Sequence, residues 1–148
     1  MKQKSFADMR CSIARSLEVI GPWWSFLIIR DAFMGVTRFK DFERSLGIAK
    51  NTLSNRLKLL VENGLLDKVT DPGGSKYAAY HLTEKGRDLF PVLVAITQWG
   101  DKWAVHEDGP SFEIIDKRTD QSIPPLALLG GDGKPLPEDE IGVKRASN

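Results

Sequence analysis

Cysteine is nearly absent from this chain of 148 residues: there is one, Cys11. No internal disulfide framework can form, which fits a reducing compartment. Histidine is almost as scarce, with only His81 and His106. Together with a single thiol, that makes a dedicated zinc site a poor expectation, and no metal and no cofactor are predicted. No long hydrophobic run exists either. The greasiest stretch, Trp23–Ile29, has seven residues broken by one serine and then meets Arg30 and Asp31. A spanning helix needs roughly 20 apolar residues, so no membrane partner is expected. The N-terminus MKQKSFADMR has no apolar core or small-residue cleavage site after its lysines, so a cytoplasmic location is predicted.

With 41% hydrophobic residues the chain can build a real core. The formal net charge of +1 hides an asymmetry. Residues 1–105 carry 16 Lys+Arg against 11 Asp+Glu, and residues 106–148 carry 5 against 9. A mildly basic body with an acidic tail points weakly to a polyanionic partner for the body.

Periodicity organises the body. In CSIARSLEVI, Ile13, Leu17 and Ile20 fall at helical spacing and Gly21 stops the helix. Pro22 suits the first turn of the next helix, which carries the greasy run to about Met34 and Gly35. A helix apolar around its circumference must be buried, so Phe26, Leu27, Ile28 and Ile29 are expected in the core. Trp23, Trp24, Trp99 and Trp103 are expected to pack there too, rather than to cage a ligand. RFKDFERSLG lines up Phe39, Phe42 and Leu46. In AKNTLSNRLKLLVENGLL, Leu53, Leu57, Leu60 and Val61 share one side, and Asn63-Gly64 is the stop. Ala49 stands where a capping serine or aspartate is expected.

Leu65–Asp71 and Tyr77–Leu82 have strand character and are joined by the turn-forming PGGSK, giving a β-hairpin. Thr83 caps a long helix, with a kink or break expected at Pro91. Beyond His106, Phe112–Asp116 and Ile123–Leu129 read as short strands before a polar, fraying end. The expected domains are 1–105 and a β-hairpin-like extension over 106–148. The fold class is mainly α with small β (α+β).

Helix 39–46, the turn Gly47-Ile48 and helix 49–63 have the order of a helix-turn-helix, whose second helix enters the DNA major groove. The groove-facing residues would be Lys50, Asn51, Thr52, Asn55 and Lys58, with Arg56 at the border. Asparagine pairs with adenine through two hydrogen bonds, and Lys and Arg meet phosphate or guanine. The hairpin tip Gly73-Gly74-Ser75-Lys76 would be a wing, with Lys76 on a phosphate. Taken alone, the polar face is what any solvated surface helix presents. The ordered sequence of helix, turn, polar helix, glycine-tipped hairpin and terminal helix is what points to DNA.

These stretches resemble the HxlR-type winged helix-turn-helix transcriptional regulators of bacteria. The matching segments are CSIARSLEVIGPWWSFLIIRDAF, GVTRFKDFERSLGIAKNTLSNRLKLLVENGLL and YHLTEKGRDLFPVLVAITQWGDKW. Within them, Trp24, the Arg38-Phe39 pair, Leu53-Ser54-Asn55-Arg56-Leu57 and Tyr80-His81-Leu82-Thr83 are specific in combination. The resemblance implies a homodimer on a roughly palindromic operator, with Arg38 among the DNA-binding residues and the long terminal helix in the dimer interface. Family members often begin their first helix with Cys-Pro, whereas Ser12 follows Cys11 here. In some members that cysteine senses oxidants, and one thiol per chain would leave Cys11 to pair with its dimer mate or a small thiol. Operator binding compared between oxidised protein and a Cys11→Ser variant decides this, and identical binding before and after oxidation removes the sensor. Longer relatives can carry paired cysteines in the tail; this tail has none.

An enzyme is not expected, since no Ser-His or Cys-His pairing, phosphate loop or metal cluster can be placed. The rival functions are a winged helix used for protein contact and a regulator with an unidentified small-molecule effector.

Overall fold

The computed structural model describes residues 5–70 and 77–144. The wing tip, including Lys76, lies outside them. Four helices come first: α1 (Ser12–Ile20), α2 (Trp24–Phe33), α3 (Phe39–Leu46) and α4 (Lys50–Glu62). The antiparallel strands β1 (Leu66–Val69) and β2 (Ala79–Leu82) follow, then α5 (Glu84–Arg87) and α6 (Phe90–Trp103). Short strands β3 (Ile115–Asp116) and β4 (Gln121–Ser122) and a 3₁₀ turn at Glu138–Glu140 complete the described residues. The chain forms two compact units, one up to Leu93 and one from Val94 onward.

In the first unit the apolar spacing becomes one core: Ile20, Ile28, Ile29, Phe42, Ile48, Leu53, Leu57, Leu60, Leu65 and Leu66. Each fully enclosed Leu, Ile or Phe there contributes roughly 1.5–3 kcal/mol. The greasy helix α2 supplies Ile28 and Ile29, both without exposure. Its expected burial is corrected at two positions, since Leu27 is at the surface and Trp23 is 80% exposed. A straight helix packs on one broad stripe, and these two fall outside it. Trp24 is half-buried against the core, but Trp99 and Trp103 are exposed, so the expected tryptophan packing holds only at Trp24.

Gly47 takes the left-handed conformation (φ 59°) that lets α3 end and the chain turn into α4. β1 and β2 pair from Leu66↔Leu82 to Val69↔Ala79. Residues 37–38 add a third, very short rung: Tyr80 N–H donates to the Thr37 carbonyl at 2.8 Å, and Arg38 bridges Ala79. Thr83 caps α5 as expected, its hydroxyl accepting from Gly86 N–H at 3.0 Å and donating to the Gly64 carbonyl at 2.6 Å. Gly86 must be glycine, because a Cβ would collide with the Leu65 carbonyl oxygen. The predicted break near Pro91 lies at Asp88-Leu89, between α5 and α6. Pro91 has no N–H to give the Arg87 carbonyl, so the helical ladder restarts with Pro91 in its first turn.

In the second unit, β3 and β4 pair through two rungs only, Ile115↔Ser122 and Asp116↔Gln121. The expected strand over 123–129 does not form. Pro124 and Pro125 remove two consecutive donors, so a ladder cannot extend through them. Instead the Gln98 side chain donates to the Pro124 carbonyl (3.0 Å) and accepts from Leu126 N–H (2.8 Å). Leu129 makes an isolated bridge to Pro135 around the GGDGK turn.

Candidate nucleic-acid interface

Leu53, Leu57 and Leu60, spaced four and then three residues apart, pull one side of α4 into the core with almost no exposure. The opposite side is thereby turned outward. Lys50, Asn51, Asn55 and Lys58 are exposed, and Thr52 is half-buried. Ala49 holds the N-cap position without a side-chain bond, leaving the first turn dependent on the backbone alone. Lys58 Nζ stands 3.7 Å from Glu62 Oε1, both largely exposed. An open pair at that spacing is worth at most a few tenths of a kcal/mol, so Lys58 can leave it for a phosphate at little cost.

Arg56 is placed differently from its neighbours. It is half-buried, and its Nε is enclosed without a hydrogen-bond partner. Arg38, at the N-cap position of α3, donates from Nη1 to the Tyr77 carbonyl at 2.6 Å. One arm of its guanidinium is thus committed to holding the returning strand of the hairpin. Lys50 through Lys58 form one continuous flank, whereas Arg38 belongs to a separate group with Lys40, Arg44 and Tyr77. Sequence reading passed over Lys40 and Arg44; their i, i+4 spacing in RFKDFERSLG was the available sign. Cys11 is exposed at the N-cap position of α1.

Among the described residues, the potential metal donors that converge are His106, Glu107 and Asp108, all exposed. Their proximity alone points to no ion. No helix among the described residues is long and apolar enough to cross a membrane.

A core-anchored second helix with an open polar flank thus follows a glycine turn, in the order of a helix-turn-helix. The family model of the HxlR-like helix-turn-helix matches residues 19–108. The chain belongs to that family. An HTH-type transcriptional regulator of Mycobacterium tuberculosis is 46% identical over 103 residues, 70% of this chain. The match spans 65% of that relative's length. Among solved structures, PA1607, a candidate transcription factor, is 45% identical with a TM-score of 0.89, covering 97% of this chain and all of that one. HypR, a redox regulator in its reduced form, is 26% identical with a TM-score of 0.57, covering 62% of this chain and 92% of that one. The winged-helix fold class read from the sequence is therefore that of this HxlR-like protein.

Proposed function

We propose that this HxlR-like protein is a transcriptional regulator that binds a roughly palindromic operator in double-stranded DNA as a homodimer. α4 enters the major groove and the β1–β2 hairpin lies along the backbone. The observation that carries this reading is the open flank of α4, backed by three buried leucines, which leaves Lys50, Asn51, Asn55 and Lys58 exposed to solvent. Asn51 and Asn55 supply the bidentate amides suited to adenine, and the lysines supply phosphate or guanine contacts. Thr52 and Arg56 contribute from the border of the flank, Arg38 from the start of α3, and Lys76 from the hairpin.

A second copy is the natural cover for the stripe Val92, Ile96, Trp99 and Trp103. These recur at i, i+4, i+7 and i+11 on α6 and are 42%, 50%, 63% and 67% exposed. On α1, Ile13 and Leu17 also stand in solvent. The terminal-helix role implied by the family resemblance fits these surfaces.

The test is a titration of the protein against promoter DNA of its own gene, from roughly 50 to 200 mM salt. Affinity should fall steeply as salt rises, because each neutralised phosphate releases counterions. Asn55→Ala should lose about 1–3 kcal/mol of discrimination at one base position, while Lys76→Ala should weaken all duplexes alike. Salt-insensitive binding, or an Asn55→Ala variant with unchanged base preference, would sink the reading and favour a protein-contact role.

A further inference from the structure

A groove of about 360 Å³ opens between α1 and α5, wholly within the first compact unit. Ser12, Arg15, Ser16 and Val19 form its α1 wall at i, i+3, i+4 and i+7, one face of the helix. Ile13 and Leu17 occupy the neighbouring face and do not line it. The floor is made by the buried Ile20 and Leu65 with the half-buried Val19 and Leu89. Lys85, exposed on α5, completes the rim. An aliphatic floor thus lies under two cations and two hydroxyls, and no lining residue is acidic.

The charge of the rim is not cancelled from nearby. Glu18, three residues beyond Arg15, accepts from Phe6 N–H and Ser5 Oγ instead. The Arg15 side chain has no hydrogen bond or ion pair among the described residues. Lys85 Nζ donates to the Asn63 carbonyl at 2.8 Å, which uses one of its three donors and leaves its charge in place. The walls are also tied together. The Asn63 side chain donates to the Val19 carbonyl at 2.7 Å and joins α1 to the end of α4. Thr83 N–H donates to the Leu65 carbonyl at 3.1 Å and joins the start of α5 to the floor. The groove therefore stands ready before anything enters it, as apolar hollows with a few polar groups do in small-molecule sites.

We propose that this groove binds a free amphipathic carboxylate with an aliphatic tail of medium length. The carboxylate pairs with Arg15 and Lys85, Ser12 and Ser16 donate to its remaining lone pairs, and the tail covers Val19, Ile20, Leu65 and Leu89. Two cations without a lining acid set the sign of the head group. A lining without aromatic residues suits a flexible chain better than a flat ring. The volume, near the lower end for small-molecule sites, limits the length of that chain. The site is separate from the DNA-binding flank of α4, so DNA is left out of its test.

The experiment is calorimetry on the full-length protein with octanoate below its micellar concentration, beside octylammonium and acetate. Octanoate should bind at one site per chain. Octylammonium lacks the right charge and acetate lacks the tail, so both should bind weaker by about tenfold or more. Arg15→Gln removes a charge-assisted donor and should weaken octanoate by about tenfold or more. Ser16→Phe fills the groove with both cations present and should abolish binding. Both positions are exposed, so the helical circular dichroism of each variant should match the wild type. Wild-type protein that ignores octanoate overturns the site. So does either variant binding octanoate as the wild type does, or octylammonium binding as tightly as octanoate. Binding that appears only in a monomeric Trp99→Lys/Trp103→Lys variant gives the groove to a second copy of the chain, and overturns the proposal too.

Discussion

Asp31 has no exposed surface, although it follows a run that ends in charge. Its Oδ1 accepts from Arg30 Nε at 2.9 Å and Nη2 at 2.7 Å, and its Oδ2 has no partner. The helix continues past the apolar run, and Asp31 falls three residues beyond Ile28, on the side that turns inward. Reading the run as a block with a polar end missed this; counting helical turns would have found it. The pair is asymmetric, because the Arg30 side chain is 32% exposed and can reach water alone, whereas the carboxylate cannot. Arg30→Met should therefore cost about 3–5 kcal/mol by stranding a buried charge, and Asp31→Asn distinctly less. Urea midpoints of the two variants measure the difference, and equal losses would contradict it.

Helices were legible and strands only in part. α3 and α4 follow the apolar spacing because one helix face has a strong 3.6-residue signature, whereas on α1 Ile13 and Leu17 stay in solvent and Ala14 and Ile20 are buried. Of the tail strands, the first is reduced to Ile115–Asp116 and pairs with Gln121–Ser122, before the expected 123–129, where Pro124 and Pro125 withhold donors that residue-type preference alone does not count. The segment before α1 is tied down by a contact with no periodic sign: Glu18 accepts from Phe6 N–H at 2.9 Å and Ser5 Oγ at 2.7 Å. The Phe6 N–H first, then the Ser5 hydroxyl, hold the Glu18 carboxyl below the ordinary glutamate value of 4.5. A lowered carboxylate favours the tied form above the unfolded value and loses that support as pH falls through the folded one. Amide exchange at Phe6 should thus be slow near neutrality and lose its protection under acid. Glu18→Gln should lose much of that protection at every pH; protection that ignores both acid and the substitution would refute the tie.

At the scale of the whole molecule, the α6 stripe bears on assembly. Replacing Trp99 and Trp103 together by lysine puts charge into a face proposed to be dry. The variant should sediment as a monomer with its helical circular dichroism intact, since both side chains are exposed in the single chain. Operator affinity should fall with it, because two half-sites about 34 Å apart need two linked recognition helices. A variant that stays dimeric would move the interface elsewhere.

Periodicity and turn chemistry act over a few residues, and they were enough to set the order of the helices, the inward leucines of α4, the hairpin and the family. Tertiary structure decided which residues of an apolar helix stay in water, that Asp31 is enclosed, and that Arg38, Lys40, Arg44 and Tyr77 share one cleft. Those outcomes depend on which surfaces meet across long stretches of chain, and no local spacing encodes such a meeting.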